Sequence, residues 1–346
     1  MTNVKCITWN VRGVRARPKR NAVLSCLKAQ RAEVMVLVET HLTGQLLTSL
    51  RRPWVGWVYQ APHTANSRGV AVLVAKTAQF VMITLRSDPQ GRYIFLHVKI
   101  NGLELLLLAI YIPPPFQFEV LTDGLAFMSQ FPTVPAVWLG DFNNVVDRDL
   151  DRLSSTPPGN PSHTHTRFGR LLLDLALVDT WRHRYPSDRM YSCFSTSHNT
   201  MSRIDLILVS RTLLPILGNV GFNPRALSDH SSYWIELRID SPPTSYTWRL
   251  NPFWLTVVPD LEGAGSEWDF FFQTNRGTAP FGVVWDSFKS HARLILSQRI
   301  SRYRKTSSLV VSQAEQSLVE AEREFTTNPS PAAAEAAGSS GKWSSL

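Results

Sequence analysis

The chain has 346 residues, 44% of them hydrophobic, with 28 Trp and Phe and a formal net charge of +9, enough for one large domain plus an appendage or for two ordinary domains. Its three cysteines, Cys6, Cys26 and Cys193, are far apart and show no paired spacing, which argues against a zinc site or disulfide framework and for a reducing compartment. The N-terminus MTNVKCITWN lacks the apolar run of a signal peptide, and the longest apolar run, 105–112, falls short of the roughly 20 residues that cross a bilayer, so neither secretion nor a membrane partner is expected.

In chain order, 4–9 and 34–38 are predicted strands, rich in branched and aromatic residues, separated by a helix that Pro18 opens and that runs to about Gln30 with Val23, Leu24 and Leu27 on one face. Strands follow at 70–75, 93–100 and 103–112, then a helix at 119–130, a strand at 136–139, a helix at 167–177, and strands at 204–209 and 233–239. Adjacent strands with few intervening helices do not fit a doubly wound parallel sheet; an α/β sandwich of mixed sheets packed face to face, with helices outside, fits better. Residues 1–240 are therefore expected to form the main domain. Ser241-Pro242-Pro243-Thr244-Ser245 opens an irregular, Trp- and Phe-rich linker over 241–280, and 281–325 is a helical connector. The connector is basic first (Lys289, Arg293, Arg299, Arg302, Arg304, Lys305) and acidic later (Glu315, Glu320, Glu322, Glu324). The tail 326–346, rich in Pro, Ala, Ser and Gly, is expected to be disordered.

Charge is distributed unevenly. Residues 1–240 hold 26 Lys and Arg against 17 Asp and Glu, whereas 241–346 hold ten of each, so the whole excess lies in the first 240 residues. Arg outnumbers Lys 28 to 8, which suits forked recognition of phosphate oxygens. A nucleic-acid face is expected there, although a basic balance alone also fits an acidic protein partner.

Chemistry-bearing residues cluster at predicted strand ends. Trp9-Asn10-Val11-Arg12-Gly13, Glu39-Thr40-His41-Leu42, Ile110-Tyr111 and Leu139-Gly140-Asp141-Phe142-Asn143-Asn144 each close an apolar run. Arg203-Ile204-Asp205-Leu206 opens a strand, and Leu227-Ser228-Asp229-His230-Ser231 precedes the last one. Such a rim is where sites are built on rigid scaffolds. Asp141-Phe142-Asn143 alone reads equally well as a capped turn, and Glu39 as a solvated strand end. Asp205, within an apolar strand, needs a partner. Together these residue types suit phosphodiester cleavage, which requires an activated water, charge stabilisation on phosphoryl oxygens and help for the departing oxygen. Glu39 and Asn10 offer oxygen ligands to a hard ion such as Mg²⁺, His230 with a buried carboxylate behind it follows base-and-orienter logic, and Asp141 with Asn143 could align the attacking water. His163 and His165 are expected in a solvated loop. Asp147, Asp149 and Asp151 mimic the start of a calcium loop, but Arg152 stands where that loop needs Gly.

As an ordered set covering about residues 3–240, these motifs resemble the endonuclease/exonuclease/phosphatase superfamily. The resemblance implies a four-layered α/β sandwich with two mixed β-sheets and the active site at one rim. It implies metal binding by Glu39 with Asn10, phosphate contact by Tyr111, and water activation or alignment by Asp141 with Asn143. His230 would contact the scissile phosphate, oriented by Asp205, with Asp229 completing the polar cluster. The cofactor implied is Mg²⁺, with Mn²⁺ as a substitute.

Within that superfamily the opening N-x-x-G, the Glu39-Thr40-His41-Leu42 box and Ser202-Arg203-Ile204-Asp205 resemble LINE retrotransposon endonucleases. Residues 191–202 are similar to a hairpin laid against DNA, which makes Ser192, Ser202, Arg203 and Ile204 candidate contacts to double-stranded DNA. Tyr246-Thr247-Trp248-Arg249-Leu250-Asn251 and the charged helix after it resemble the linker before a reverse transcriptase. Element RNA would be a possible partner of the basic helix; no protein partner is expected. Nuclear or cytoplasmic work is implied. Apurinic/apyrimidinic repair members carry an acidic residue where this chain has Arg12, and Gly-Trp where it has Met201-Ser202. A repair endonuclease or exonuclease III-type enzyme, a small-molecule phosphatase and an inactive nucleic-acid-binding remnant are the alternatives.

Overall fold

The computed structural model describes residues 2–115, 118–154, 163–195, 200–239, 255, 258 and 264–327. Contacts divide the chain into two units, the first made of residues 1–243 with 318–346 and the second of 244–317.

The first unit contains, in order, β1 (Thr2–Asn10), α1 (Arg17–Ala29), β2 (Val34–Val38), β3 (Val55–Ala61), β4 (Val70–Ala75), β5 (Phe80–Ser87), β6 (Tyr93–Ile100), β7 (Leu103–Tyr111), α2 (Phe118–Met128), β8 (Ala136–Asp141), β9 (Arg152–Ser154), α3 (His163–Asp174), β10 (Leu177–Asp179), α4 (Thr180–Arg184), β11 (Cys193–Ser195), β12 (Thr200–Ser202), β13 (Asp205–Ser210), β14 (Leu217–Phe222) and β15 (Tyr233–Ile239). Two six-stranded sheets, ordered β14-β15-β1-β2-β4-β3 and β10-β13-β8-β7-β6-β5, are both mixed: β1 runs parallel to β2 and β7 to β8, and the other pairs are antiparallel. A three-stranded sheet, β11-β12-β9, stands apart.

Apolar side chains alternate along the strands, so each sheet has two buried faces. One face of each sheet meets the other in a shared core that includes Val36, Val72, Leu96, Leu107, Leu139 and Ile235. The outer face of the second sheet (Phe95, Leu108, Trp138, Leu208) is covered by Val120, Leu121 and Phe127 of α2 and Phe168 and Leu172 of α3. The outer face of the first sheet (Ile7, Met35, Leu37, Leu73) is covered by Val23, Leu24 and Leu27 of α1. Helix, sheet, sheet and helix make the four-layered α/β sandwich that the strand pattern and the resemblance led to expect.

The eight strands expected from the sequence are all present. β3, β5, β14 and the short strands β9 and β10 were not foreseen, whereas β11 and β12 are the arms of the hairpin expected over 191–202. β14 is interrupted by Gly218 and Gly221, and β5 leaves Val81, Met82, Ile83 and Leu85 exposed at a sheet edge, so neither shows clean alternation. α3 begins at His163, so the two histidines expected in a loop open a helix.

The second unit contains α5 (Ala264–Thr274) and α6 (Phe281–Thr327) as far as Ser317. α5 falls in the span expected to be irregular. Its Trp268, Phe271 and Phe272 pack against Phe288 of α6, with ring centroids 4.6–5.9 Å apart, and this tertiary pairing stabilises a helix that propensity alone left undecided. On the basic stretch of α6, Lys289 pairs with Asp286 and Arg299 with Glu267, so part of its positive charge is already met within the unit. Most of 241–263 and all of 328–346, including the Tyr246–Asn251 motif and the expected disordered tail beyond Thr326 and Thr327, which end α6, lie outside the described residues. Among the described residues, no helix is long and apolar enough to cross a membrane.

Candidate active site

Strand register brings the motif residues together. In the first sheet Asn10 pairs with Val38 and Val38 with Val70, so the chain leaving β1, the chain leaving β2 and the chain entering β4 stand side by side. In the second sheet Tyr111 pairs with Asp141 and Asp141 with Asp205, aligning three polar side chains across β7, β8 and β13. Gly140, at φ +153°, permits this packing: a Cβ there would lie 1.7 Å from the Ile110 carbonyl oxygen.

Asn10 joins the two sheets. Its Nδ2 donates to Glu39 Oε1 at 3.0 Å and to Asp141 Oδ2 at 2.9 Å, while its Oδ1 accepts from the Arg12 N–H at 3.0 Å. Asn10 thus positions both carboxylates, and its Oδ1, the expected metal donor, accepts one backbone N–H and keeps a second lone pair. Asp141 Oδ1 accepts from the Asn143 N–H at 2.8 Å, and Asn143 Nδ2 is anchored on the Ile112 carbonyl at 2.8 Å. His230 Nδ1 lies 2.7 Å from Asp205 Oδ2. The loop that carries His230 is tied down by Trp9 Nε1 donating to the His230 carbonyl and by Ser228 Oγ donating to the Asn10 carbonyl. Asp229 pairs with Arg12. Five non-glycine residues around the site, Arg12, Glu39, His41, Arg68 and Asn143, have φ between 42° and 59°. Left-handed backbone of this kind costs energy and concentrates at functional sites.

Burial and neighbouring charge set the protonation pattern. Burial pushes the Glu39 carboxyl up, but hydrogen bonds from His41, Asn10 and Tyr111, with His230 nearby, outweigh it and hold Glu39 at about 2. Asp141 is pushed the other way, to about 7, by burial first and then by the Asp205 charge. Burial lowers His230, but the Asp205 carboxylate it bonds, with Cys193 beside it, raises it well above the usual histidine value. The site therefore pairs a firmly ionised Glu39 with an Asp141 that titrates near neutrality and a readily protonated His230.

A raised carboxyl binds more protons folded than unfolded, so Asp141 contributes stability at low pH that is lost as pH rises through about 7. In chelator, the Asp141→Asn protein is expected to gain thermal stability over the parent as pH rises from 3.8 to about 7, and to keep a constant advantage above that. A pH-independent difference between the two melting curves would contradict this assignment.

The residues fit a hard cation. Carboxylate oxygens of Asp141 and Asp205 lie within 4.8 Å of one another, and among the described residues Asp205 Oδ1 is buried without a hydrogen-bond partner. Glu39, ionised and linked to Asp141 through Asn10, adds a further oxygen donor.

The expected DNA contacts fare differently. Ser202 and Ile204 are half-buried at the hairpin. Arg203 is 0% exposed. It forks onto Asp151 (2.9 and 2.7 Å) and Asp179 (3.2 and 2.6 Å), so it is a buried structural cross-link and not a DNA contact. Asp151, in the stretch that mimics a calcium loop, is one arm of that cross-link. Ser192 is also buried: its Oγ accepts from the N–H groups of Ile204 and Asp205 at 3.1 and 3.0 Å and so fixes the start of β13. Replacing Ser192 with alanine leaves two buried amides unmet and is expected to cost about 1–3 kcal/mol of stability, measured by urea denaturation. Sequence reasoning missed His41 and Arg68 as neighbours of Glu39; the position of His41 inside the Glu39-Thr40-His41-Leu42 box was the one available signal.

A cluster of acid, amide and imidazole at one rim of a two-sheet sandwich suits a metal-dependent phosphodiester hydrolase. The chain belongs to the endonuclease/exonuclease/phosphatase family, whose model matches residues 7–230. It is similar to an exodeoxyribonuclease of Bacillus subtilis (strain 168), 25% identical over an alignment of 251 residues that covers 66% of this chain and 96% of that one. Among solved structures it resembles an AP endonuclease from Leishmania major (TM-score 0.59, 19% identity, 68% of this chain and 88% of that one). It also resembles a 3′-5′ exonuclease from Neisseria meningitidis (TM-score 0.53, 25% identity, 68% and 99%).

Proposed function

We propose that the chain is a divalent-metal-dependent DNA nuclease, and that it nicks duplex DNA in the manner of a LINE retrotransposon endonuclease. The observation that carries the reading is the Asn10 side chain, which bonds a carboxylate from each sheet and so draws Glu39, Asp141, Asp205 and His230 into one cluster. Glu39, beside Asn10, would hold Mg²⁺, with Mn²⁺ as substitute, and the bound cation would supply charge stabilisation to a phosphoryl oxygen. Asp141, raised to about 7, is suited to take a proton from the attacking water, with Asn143 fixing its carboxylate. His230, held cationic by Asp205, faces the phosphate as a donor, and the Tyr111 hydroxyl, which hydrogen-bonds Glu39, borders the same space. Residues 1–240 would be the catalytic domain and 281–325 a connector.

Arg12 favours the LINE-type reading: it occupies the place of an acidic residue in the repair members and neutralises Asp229. The likeness to an exodeoxyribonuclease and to AP endonucleases favours a repair nuclease as the second reading. The separating experiment compares an intact duplex with one carrying a single abasic site, both in Mg²⁺. Comparable nicking of both is expected; strong preference for the lesion, or removal of nucleotides from 3′ ends alone, would transfer the protein to the repair class.

A further inference from the structure

We infer that Arg68 binds a backbone phosphate of the DNA strand, on the flank of Glu39 away from Arg12; this contact rests on the nuclease reading above. Sheet register fixes the place. Glu39 follows Val38, whose neighbours are Asn10 on one side and Val70 on the other, so Glu39 lies between the segment carrying Arg12 and the segment carrying Arg68.

The two arginines differ in charge balance. Arg12 is ion-paired with Asp229. Among the described residues Arg68 has no carboxylate partner; its Nη1 donates to the neutral side-chain carbonyl of Gln90 at 3.2 Å. Its positive charge reaches the Tyr111 hydroxyl, where it opposes the upward push of burial and of the Glu39 and Asp141 charges. A half-buried guanidinium beside a catalytic cluster, with no anion of its own, is a fork open to phosphate oxygens.

The backbone is built to hold it there. Arg68 sits at φ +59°. The His41 N–H donates to the Arg68 carbonyl at 3.1 Å, the Thr40 N–H to the Gly69 carbonyl at 3.0 Å and the Gly69 N–H to the Gly91 carbonyl at 3.0 Å. A Cβ on Gly69 would lie 2.6 Å from Thr40 Oγ1, so glycine is what lets the loop dock this closely on the segment after Glu39. Arg68 is thereby fixed in register with Glu39, which suits a residue that sets where along the backbone the cut falls, and a phosphate contact carries no sequence information.

The test uses the full chain in chelator with a fluorescein-labelled duplex oligonucleotide, so that binding is read without cutting. Arg68→Ala is expected to weaken binding roughly tenfold and to make the slope of log affinity against log salt shallower by about 0.9, the value of one lost phosphate contact. Arg68→Lys should keep the parental slope. Arg68→Gly, which relaxes the left-handed backbone, should lose the slope as Arg68→Ala does and guards against a folding defect. Parental slopes in both Arg68→Ala and Arg68→Gly would overturn the contact, even if the parent cuts DNA in Mg²⁺. A parent that binds but never cuts would overturn the nuclease reading, while the slopes would still decide Arg68.

Discussion

Replacing His230 with alanine is expected to slow cleavage of duplex DNA by about 10²–10⁴-fold, and to cost stability as well because it strips the buried Asp205 carboxylate of its partner. The imidazole is a cationic donor in the carboxylate cluster, and its charge depends on Asp205, whose Oδ2 lies 2.7 Å from Nδ1. Asp205→Asn should therefore act through His230: it removes the charge that raises the imidazole, so the remaining activity should fall at lower pH than in the parent as pH rises. Rates measured across pH for the parent and both variants check this pair. Equal pH profiles for the parent and Asp205→Asn would show that the imidazole does not depend on that carboxylate.

Replacing Arg203 with methionine is expected to cost about 3–5 kcal/mol, because removing one partner of a buried ion pair leaves uncompensated charge. Arg203 holds Asp151 and Asp179 together through four hydrogen bonds, and its own N–H donates to the Asp151 carbonyl at 2.8 Å. Asp179 also caps α4 through the N–H groups of Trp181 and Arg182, so the loss should extend beyond the hairpin. Urea denaturation gives the magnitude; a loss below about 1 kcal/mol would mean that the aspartates find other partners. DNA contact by this side chain would instead predict normal stability with weakened, salt-dependent binding.

The contrast between these two residues shows what the sequence reveals. His230 and its companions were legible because each stands where an apolar run ends, and strand ends at one rim of a sandwich converge whatever their separation along the chain. Arg203 was misread for the opposite reason. It stands beside the same motif, but its partners lie 52 and 24 residues away, and nothing in spacing or composition pairs them. The fold class followed from buried strands such as β2, β4 and β7, whose continuous apolar runs announce themselves. β5 and β14 escaped because edge exposure and glycines blur periodicity, and α5 because its helix depends on aromatic packing against α6. The orientation of Asn10 was likewise out of reach: composition offers an amide, and only register shows that its nitrogen, not its oxygen, faces the carboxylates.

The most direct measurement is relaxation of supercoiled plasmid by the parent and by Glu39→Ala, each with Mg²⁺ and with chelator. The parent should nick only with the ion, and Glu39→Ala should be slower by at least about 10²-fold at the same ion concentration. Nicking by Glu39→Ala at the parental rate, or nicking by the parent in chelator, would contradict a metal-dependent centre built on that carboxylate.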